Sequence, residues 1–136
     1  MRGVTTPFAC VFIAFLLIYL PKLPLSAAMA KEGKGYDNKN PRAQQDRLTG
    51  WGARARAAHM NGFEAFAPFA AAVIVAHLAH ADAKWSAILA VTHVVARAIY
   101  PVMYLAHLGI PRSLVWFVGF ATTIGLFVLP WLCCCG

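Results

Sequence analysis

Four long apolar segments are separated by connections of very different length in this chain. A helix needs about 20 apolar residues to cross the hydrocarbon core of a bilayer. The two later connections, "ADAK" and "GIPR", leave room only for tight turns between antiparallel helices. The first connection, at about 21–51, is rich in Lys, Gly and Asn, and we expect a cytoplasmic loop there. The pattern predicts transmembrane helices at about 4–20, 56–81, 85–108 and 113–135.

Composition supports one membrane domain over residues 1–136. Hydrophobic residues make up 60% of the chain and charged residues 12%, whereas soluble domains carry roughly 25% charged residues. We therefore predict an all-α fold, an integral membrane four-helix bundle. The formal net charge is +7. Membrane proteins keep their basic loops on the cytoplasmic side, which explains such an excess of cations. We therefore do not expect nucleic-acid binding.

The distribution of basic residues predicts the orientation. The stretch from Lys22 to Arg56 and the turn between the third and fourth segments hold nine Lys or Arg residues, and the opposite side holds two, Arg2 and Lys84. The positive-inside rule then puts the long loop in the cytoplasm and both termini outside, and we expect a bacterial inner membrane. The first 30 residues also have the features of a cleavable secretory signal. Cleavage would leave three spans, so we interpret the first segment as a retained helix.

Ionisable residues inside the spans are the candidates for chemistry. Each costs about 2.5–3.5 kcal/mol on insertion scales and needs a partner. Glu64 begins the second span and Arg97 lies in the middle of the third. One helix face of the third span carries His93, Arg97, Tyr100, Tyr104 and His107. One interpretation is a polar seam between helices, with Arg97 neutralised by Glu64.

The second interpretation is a ligand site at the cytoplasmic end of the bundle. One carboxylate faces several cations there, which indicates that an anion completes the site. Two prolines support this, because Pro68 and Pro101 each follow a charged residue by four positions and free its carbonyl from the helical hydrogen bond. The polar residues concentrated near these helix ends are Arg54, Arg56, His59, Asn61, Glu64, Arg97, Tyr100, Tyr104 and Arg112.

Three short motifs resemble those of the MAPEG family, the membrane-associated proteins in eicosanoid and glutathione metabolism. They are "DNKNPR" with the following "RAAHMNGFE" at 56–64, "RAIYPVMY" at 97–104 and "PRS" at 111–113. The likeness covers about 34–117 and is greatest to the small bacterial branch. It implies a homotrimer, or a subunit of a larger membrane complex, that binds glutathione between subunits near the cytoplasmic side.

The resemblance also implies roles for individual residues. Asn61, Glu64, Arg97 and Tyr104 match glutathione contacts of the family, and Arg112 and Ser113 match an arginine and a serine near the thiol. We add Arg54 and Tyr100 to the predicted glutathione-binding set because they lie in the same polar concentration. The predicted catalytic residues are Tyr104, Arg112 and Ser113.

The implied function is a glutathione-dependent transferase or peroxidase-like protein acting on a lipophilic electrophile from the surrounding lipid. The alternative is a non-catalytic subunit of the same fold with a lipid-binding or assembly role. A third hypothesis is a small transporter that uses Glu64 as its proton-coupled carboxylate. His77 and His80 are too few ligands for a metal site, so we expect none. The thiols at Cys133–Cys135 could be lipidated, oxidised or simply apolar.

Overall fold

The computed structural model describes residues 5–133, and side chains as far as residue 132. Four helical stretches there are long and apolar enough to cross a membrane, and no strand is present in this range. The predicted all-α fold with four spanning segments is therefore confirmed. Arg2, the start of the first predicted span and the thiols of Cys133–Cys135 lie outside the described residues. The helices are α1 (Thr6–Ile18), α2 (Lys22–Lys31), α3 (Pro41–Arg47), α4 (Gly50–Leu78), α5 (Ala83–Leu105) and α6 (Gly109–Cys133).

The segment expected as a loop at 21–51 holds two helices, which corrects that expectation. Pro21 and Pro24 interrupt the backbone hydrogen bonds after α1, because proline has no N–H. The chain then resumes as α2, which buries Leu25 and Met29 against Ala55 of α4. The first apolar segment thus extends to Lys31 as two consecutive helices.

Two polar side chains organise the connection between α2 and α3. The Gln44 amide nitrogen donates to the carbonyls of Met29 and Gly35, and its oxygen accepts from the backbone N–H of Asp37. Asp37 accepts in turn from the backbone N–H groups of Asn40 and Lys39. These hydrogen bonds favour the carboxylate and lower the pKa of Asp37. The connection is therefore a folded cap on one end of the bundle and not a flexible linker.

Helices α4 and α5 form the centre of the bundle, since each contacts both of the other spanning elements, α1 and α6. Small residues such as Ala72 and Ala90 fill their contacts, around the fully buried Phe69. Small side chains let membrane helices approach closely, and packing then supplies the stabilisation that lipid cannot. This central pair carries both predicted ionisable residues, Glu64 on α4 and Arg97 on α5.

Candidate functional site

The first part of the site is a pair of side chains one turn apart on α4. Asn61 is half-buried and Glu64 is exposed. The Asn61 amide nitrogen donates to Glu64 Oε2 at 3.2 Å, as side chains three residues apart on a helix can. Pro68 lies inside the same helix, four residues further on, so the Glu64 carbonyl has no N–H at the usual position.

Arg97 reaches this pair from α5. Its side chain is buried, and Nη1 donates to Asn61 Oδ1 at 3.1 Å. The amide of Asn61 therefore lies between the guanidinium and the carboxylate of Glu64. The ion pairs among residues 5–133 are Arg47–Glu32 and Arg56–Asp46, so in the polar-seam interpretation Glu64 would act on Arg97 through Asn61 and not in a direct ion pair.

Tyrosines continue the network towards the C-terminal end of α5. The Arg97 guanidinium carbon lies 4.5 Å from the centroid of the Tyr100 ring, and Tyr100 meets Tyr104 edge to face at 5.7 Å. Arg112, at the start of α6, covers the other face of this pair, with its guanidinium carbon 4.4 Å from the Tyr104 centroid. Cation–π contacts of this kind hold both guanidinium groups close to the aromatic pair.

Two of the predicted site residues lie apart from this network. Arg54 Nε donates to the Leu105 carbonyl at 3.4 Å, at the C-terminus of α5, where a cation is favourable. The Ser113 hydroxyl is exposed and donates to the Gly109 carbonyl of its own helix at 3.1 Å. His107, predicted on the same face as Arg97, lies beyond the end of α5 with a φ of 61°.

An open polar groove lies on one side of Asn61 and Glu64. Its volume is about 450 Å³. We call it the polar groove, and its lining residues are Ala53, Arg56, Ala57, Met60, Asn61, Glu64, Tyr100 and Tyr104.

A second groove lies between α4 and α6 and has a volume of about 260 Å³. Most of its lining is apolar, and Trp116 and Phe120 stack in parallel along it with centroids 5.3 Å apart. Its lining includes Asn61 and Glu64, so the two grooves share these residues. We call it the apolar groove, lined by Asn61, Glu64, Ala65, Pro68, His93, Arg97, Trp116, Gly119, Phe120, Thr123, Ile124 and Phe127.

Sequence reasoning missed three contributors to these grooves. Arg56 was placed among the cytoplasmic cations but not in the predicted site, and His93 was placed on the face of Arg97 without a role. The spacing of four residues between His93 and Arg97 was the available signal. Trp116 had no local signal, because its place in the groove depends on how α6 packs against α4.

Comparison with known proteins adds one finding to this geometry. The MAPEG family model matches residues 6–132, nearly the whole chain. The chain belongs to the MAPEG family. This family includes glutathione transferase-like and peroxidase-like members, and its proteins are commonly oligomers embedded in membranes. No curated protein and no solved structure matches this MAPEG chain.

Proposed function

We propose that this MAPEG protein binds glutathione in the polar groove and presents its thiol to a lipophilic electrophile held in the apolar groove. The observation that carries the proposal is that both grooves share Asn61 and Glu64. A water-soluble peptide and a membrane-soluble compound could therefore meet at one place. Holding two reactants in contact can supply much of the rate enhancement of a bimolecular reaction.

The charges around the polar groove suit this peptide. Glutathione carries two carboxylates, an amine and a thiol. Arginine binds carboxylates well because its planar group offers parallel hydrogen bonds, and Arg56 lines the polar groove while Arg97 holds its wall through Asn61. Glu64 keeps one exposed carboxylate that can accept from the amine. The donors and acceptors of the site therefore fit both ends of the ligand.

The chemical step needs a thiolate, because the thiol itself is a weak nucleophile. The S–H bond breaks and its proton passes to water, the sulfur forms a bond to the electrophilic carbon, and the leaving group departs with its electron pair. With a hydroperoxide, the thiolate attacks the terminal oxygen, the O–O bond breaks, and the alcohol leaves with a proton from water, which makes a sulfenic acid of the sulfur. A second glutathione thiol then attacks that sulfur, which forms the disulfide and releases water. We assign the stabilisation of the thiolate to Arg112 and the Tyr104 hydroxyl, since the Arg112 guanidinium lies over the Tyr104 ring.

One observation favours the alternative, a non-catalytic subunit with a lipid-binding or assembly role. Ser113, a predicted catalytic residue, uses its hydroxyl within α6 and lines neither groove. A protein that binds lipid through the apolar groove needs no such hydroxyl. Binding and turnover therefore have to be measured separately.

Isothermal calorimetry of the purified protein in lipid nanodiscs tests the proposal. Glutathione should bind with measurable heat, and its diethyl ester, which lacks both carboxylate charges, should bind more weakly. A chromogenic aryl halide then reports conjugation. Absence of heat with glutathione would reject the proposed ligand. Binding without conjugation or peroxide reduction would favour the non-catalytic alternative.

A further inference from the structure

A small space lies between the helices beside Arg97. Its volume is about 20 Å³, and helices α1, α4 and α5 surround it. A cavity needs roughly 10–15 Å³ to hold one water molecule. Most of the lining is apolar, including Ile18 and Phe66, and His93, Arg97 and Tyr100 are its polar side chains among the described residues.

Two of these side chains carry buried polar atoms without partners in the part of the chain that the structure describes. His93 is 1% exposed and Arg97 9% exposed, and the atoms are His93 Nε2 and Arg97 Nη2. An unpaired buried polar atom costs about 1–3 kcal/mol. Two such atoms beside a cavity of this size indicate that something small and polar connects them.

The hydrogen bonds of His93 define what its free nitrogen can do. Nδ1 lies 3.0 Å from the Gly119 carbonyl oxygen, which can only accept, so Nδ1 carries the hydrogen. In a neutral imidazole Nε2 is then an acceptor. Arg97 Nη2 can only donate. A water molecule can accept from Arg97 and donate to His93, so it satisfies both atoms.

We propose that one internal water molecule bridges His93 Nε2 and Arg97 Nη2, and that His93 is thereby a positioning residue for the Arg97 guanidinium. Asn61 holds Nη1 of the same group from the other side. The two supports together restrict the rotation of the guanidinium plane. The consequence for ligand binding rests on the proposed function, whereas the water site itself does not.

A crystal structure of the ligand-free protein, at a resolution that shows ordered water, tests the site directly. Density should lie about 2.7–3.2 Å from both His93 Nε2 and Arg97 Nη2. The proposal would be overturned if the cavity contained no density. It would also be overturned if the only water near these two atoms lay in the apolar groove. His59 provides a matched control, because it is also a buried histidine whose Nδ1 contacts a carbonyl, that of Ile18 at 2.7 Å. The His59→Phe variant should keep the water.

Two substitutions separate the acceptor of His93 from its packing. His93 stacks on Phe69 with ring centroids 3.8 Å apart. His93→Phe keeps a flat ring there and removes the acceptor, while Thr122 and Thr123 still donate to the Gly119 carbonyl. His93→Gln loses the ring and keeps an acceptor oxygen.

We expect His93→Phe to lose the water and the Arg97–Asn61 hydrogen bond, and His93→Gln to retain both. Glutathione affinity should fall about two- to tenfold in the first variant, the worth of one hydrogen bond, and recover in the second. If both variants keep the Arg97–Asn61 contact, the positioning role is wrong. If the native protein shows the water but binds no glutathione, the proposed function fails and the water site stands.

Discussion

Arg97 makes two kinds of contact through one buried side chain. It donates to Asn61, lies over the ring of Tyr100 and keeps one amino group without a partner among residues 5–133. A guanidinium whose only role was to join helices would be stabilised more by a direct ion pair with a carboxylate. Here Asn61 separates it from Glu64, so the exposed Glu64 carboxylate retains capacity to bind a ligand.

Removal of the Arg97 charge tests this interpretation. Arg97→Ala should weaken glutathione binding by about 2–5 kcal/mol in calorimetry, as for truncation of one partner in a buried charged contact. The oligomer should survive, because most packing area lies elsewhere. Arg42→Ala removes an exposed charge in α3 and should have little effect. If Arg97→Ala dissociates the oligomer while the native protein never binds glutathione, the residue is structural.

The Tyr104 hydroxyl should contribute less than the Arg97 charge. Tyr104→Phe keeps the ring against Tyr100 and Arg112 and removes one neutral hydrogen-bonding group. We expect a loss of about 0.5–1.5 kcal/mol in ligand binding or in the activation free energy for conjugation. Tyr36→Phe, in the exposed connection before α3, is the control and should match the native protein. A loss as large as that of Arg97→Ala would contradict the assigned role.

At the scale of elements, the sequence predicts the spanning helices and misses the short ones. A run of about 20 apolar residues has few alternatives in lipid, because every backbone polar group must be satisfied internally. α2 and α3 depend on contacts with α4 and on the Gln44 hydrogen bonds, which no local pattern reveals. The position of Asn61 between Arg97 and Glu64 depends on rotamers, and helical spacing alone cannot predict it.

Gln44 allows a test of whether its hydrogen bonds hold the connection at 32–40 in a folded conformation. Gln44→Ala leaves the Met29 and Gly35 carbonyls and the Asp37 N–H without this partner. Each lost hydrogen bond is worth about 0.5–1.5 kcal/mol, so the segment at 32–40 should become sensitive to limited proteolysis. Gln45→Ala is a matched control, since Gln45 is buried and makes no side-chain hydrogen bond among the described residues. Equal protection in both variants would contradict the result expected here.

At the scale of the whole molecule, the cations predict which end of the bundle faces the cytoplasm. In a background without the four native cysteines, Lys39→Cys should be protected from an impermeant thiol reagent in intact cells. Lys84→Cys, beside the turn before α5, should be labelled. Both positions are exposed, so accessibility on the protein does not explain a difference between them. The reverse labelling pattern would overturn the predicted orientation. Asn61 and Glu64, which line both grooves, would then lie near the opposite membrane surface.

The exposed carboxylate of Glu64 leads to the last prediction, which concerns assembly. In a single protomer Glu64 is uncovered on a spanning helix, one turn from the exposed Met60 and Pro68. A charge that faces lipid is costly, and association of subunits at this face would cover it and complete the walls of the open polar groove. We therefore propose a homotrimer, as the family resemblance implies.

Native mass spectrometry in mild detergent should give three copies per particle. Glu64→Gln removes the charge but keeps an oxygen for Asn61, so the trimer should persist while glutathione binding weakens. If the native protein is a monomer, both the trimer and a ligand site between subunits are contradicted. If the measured mass includes chains other than this one, the protein is a subunit of a larger membrane complex.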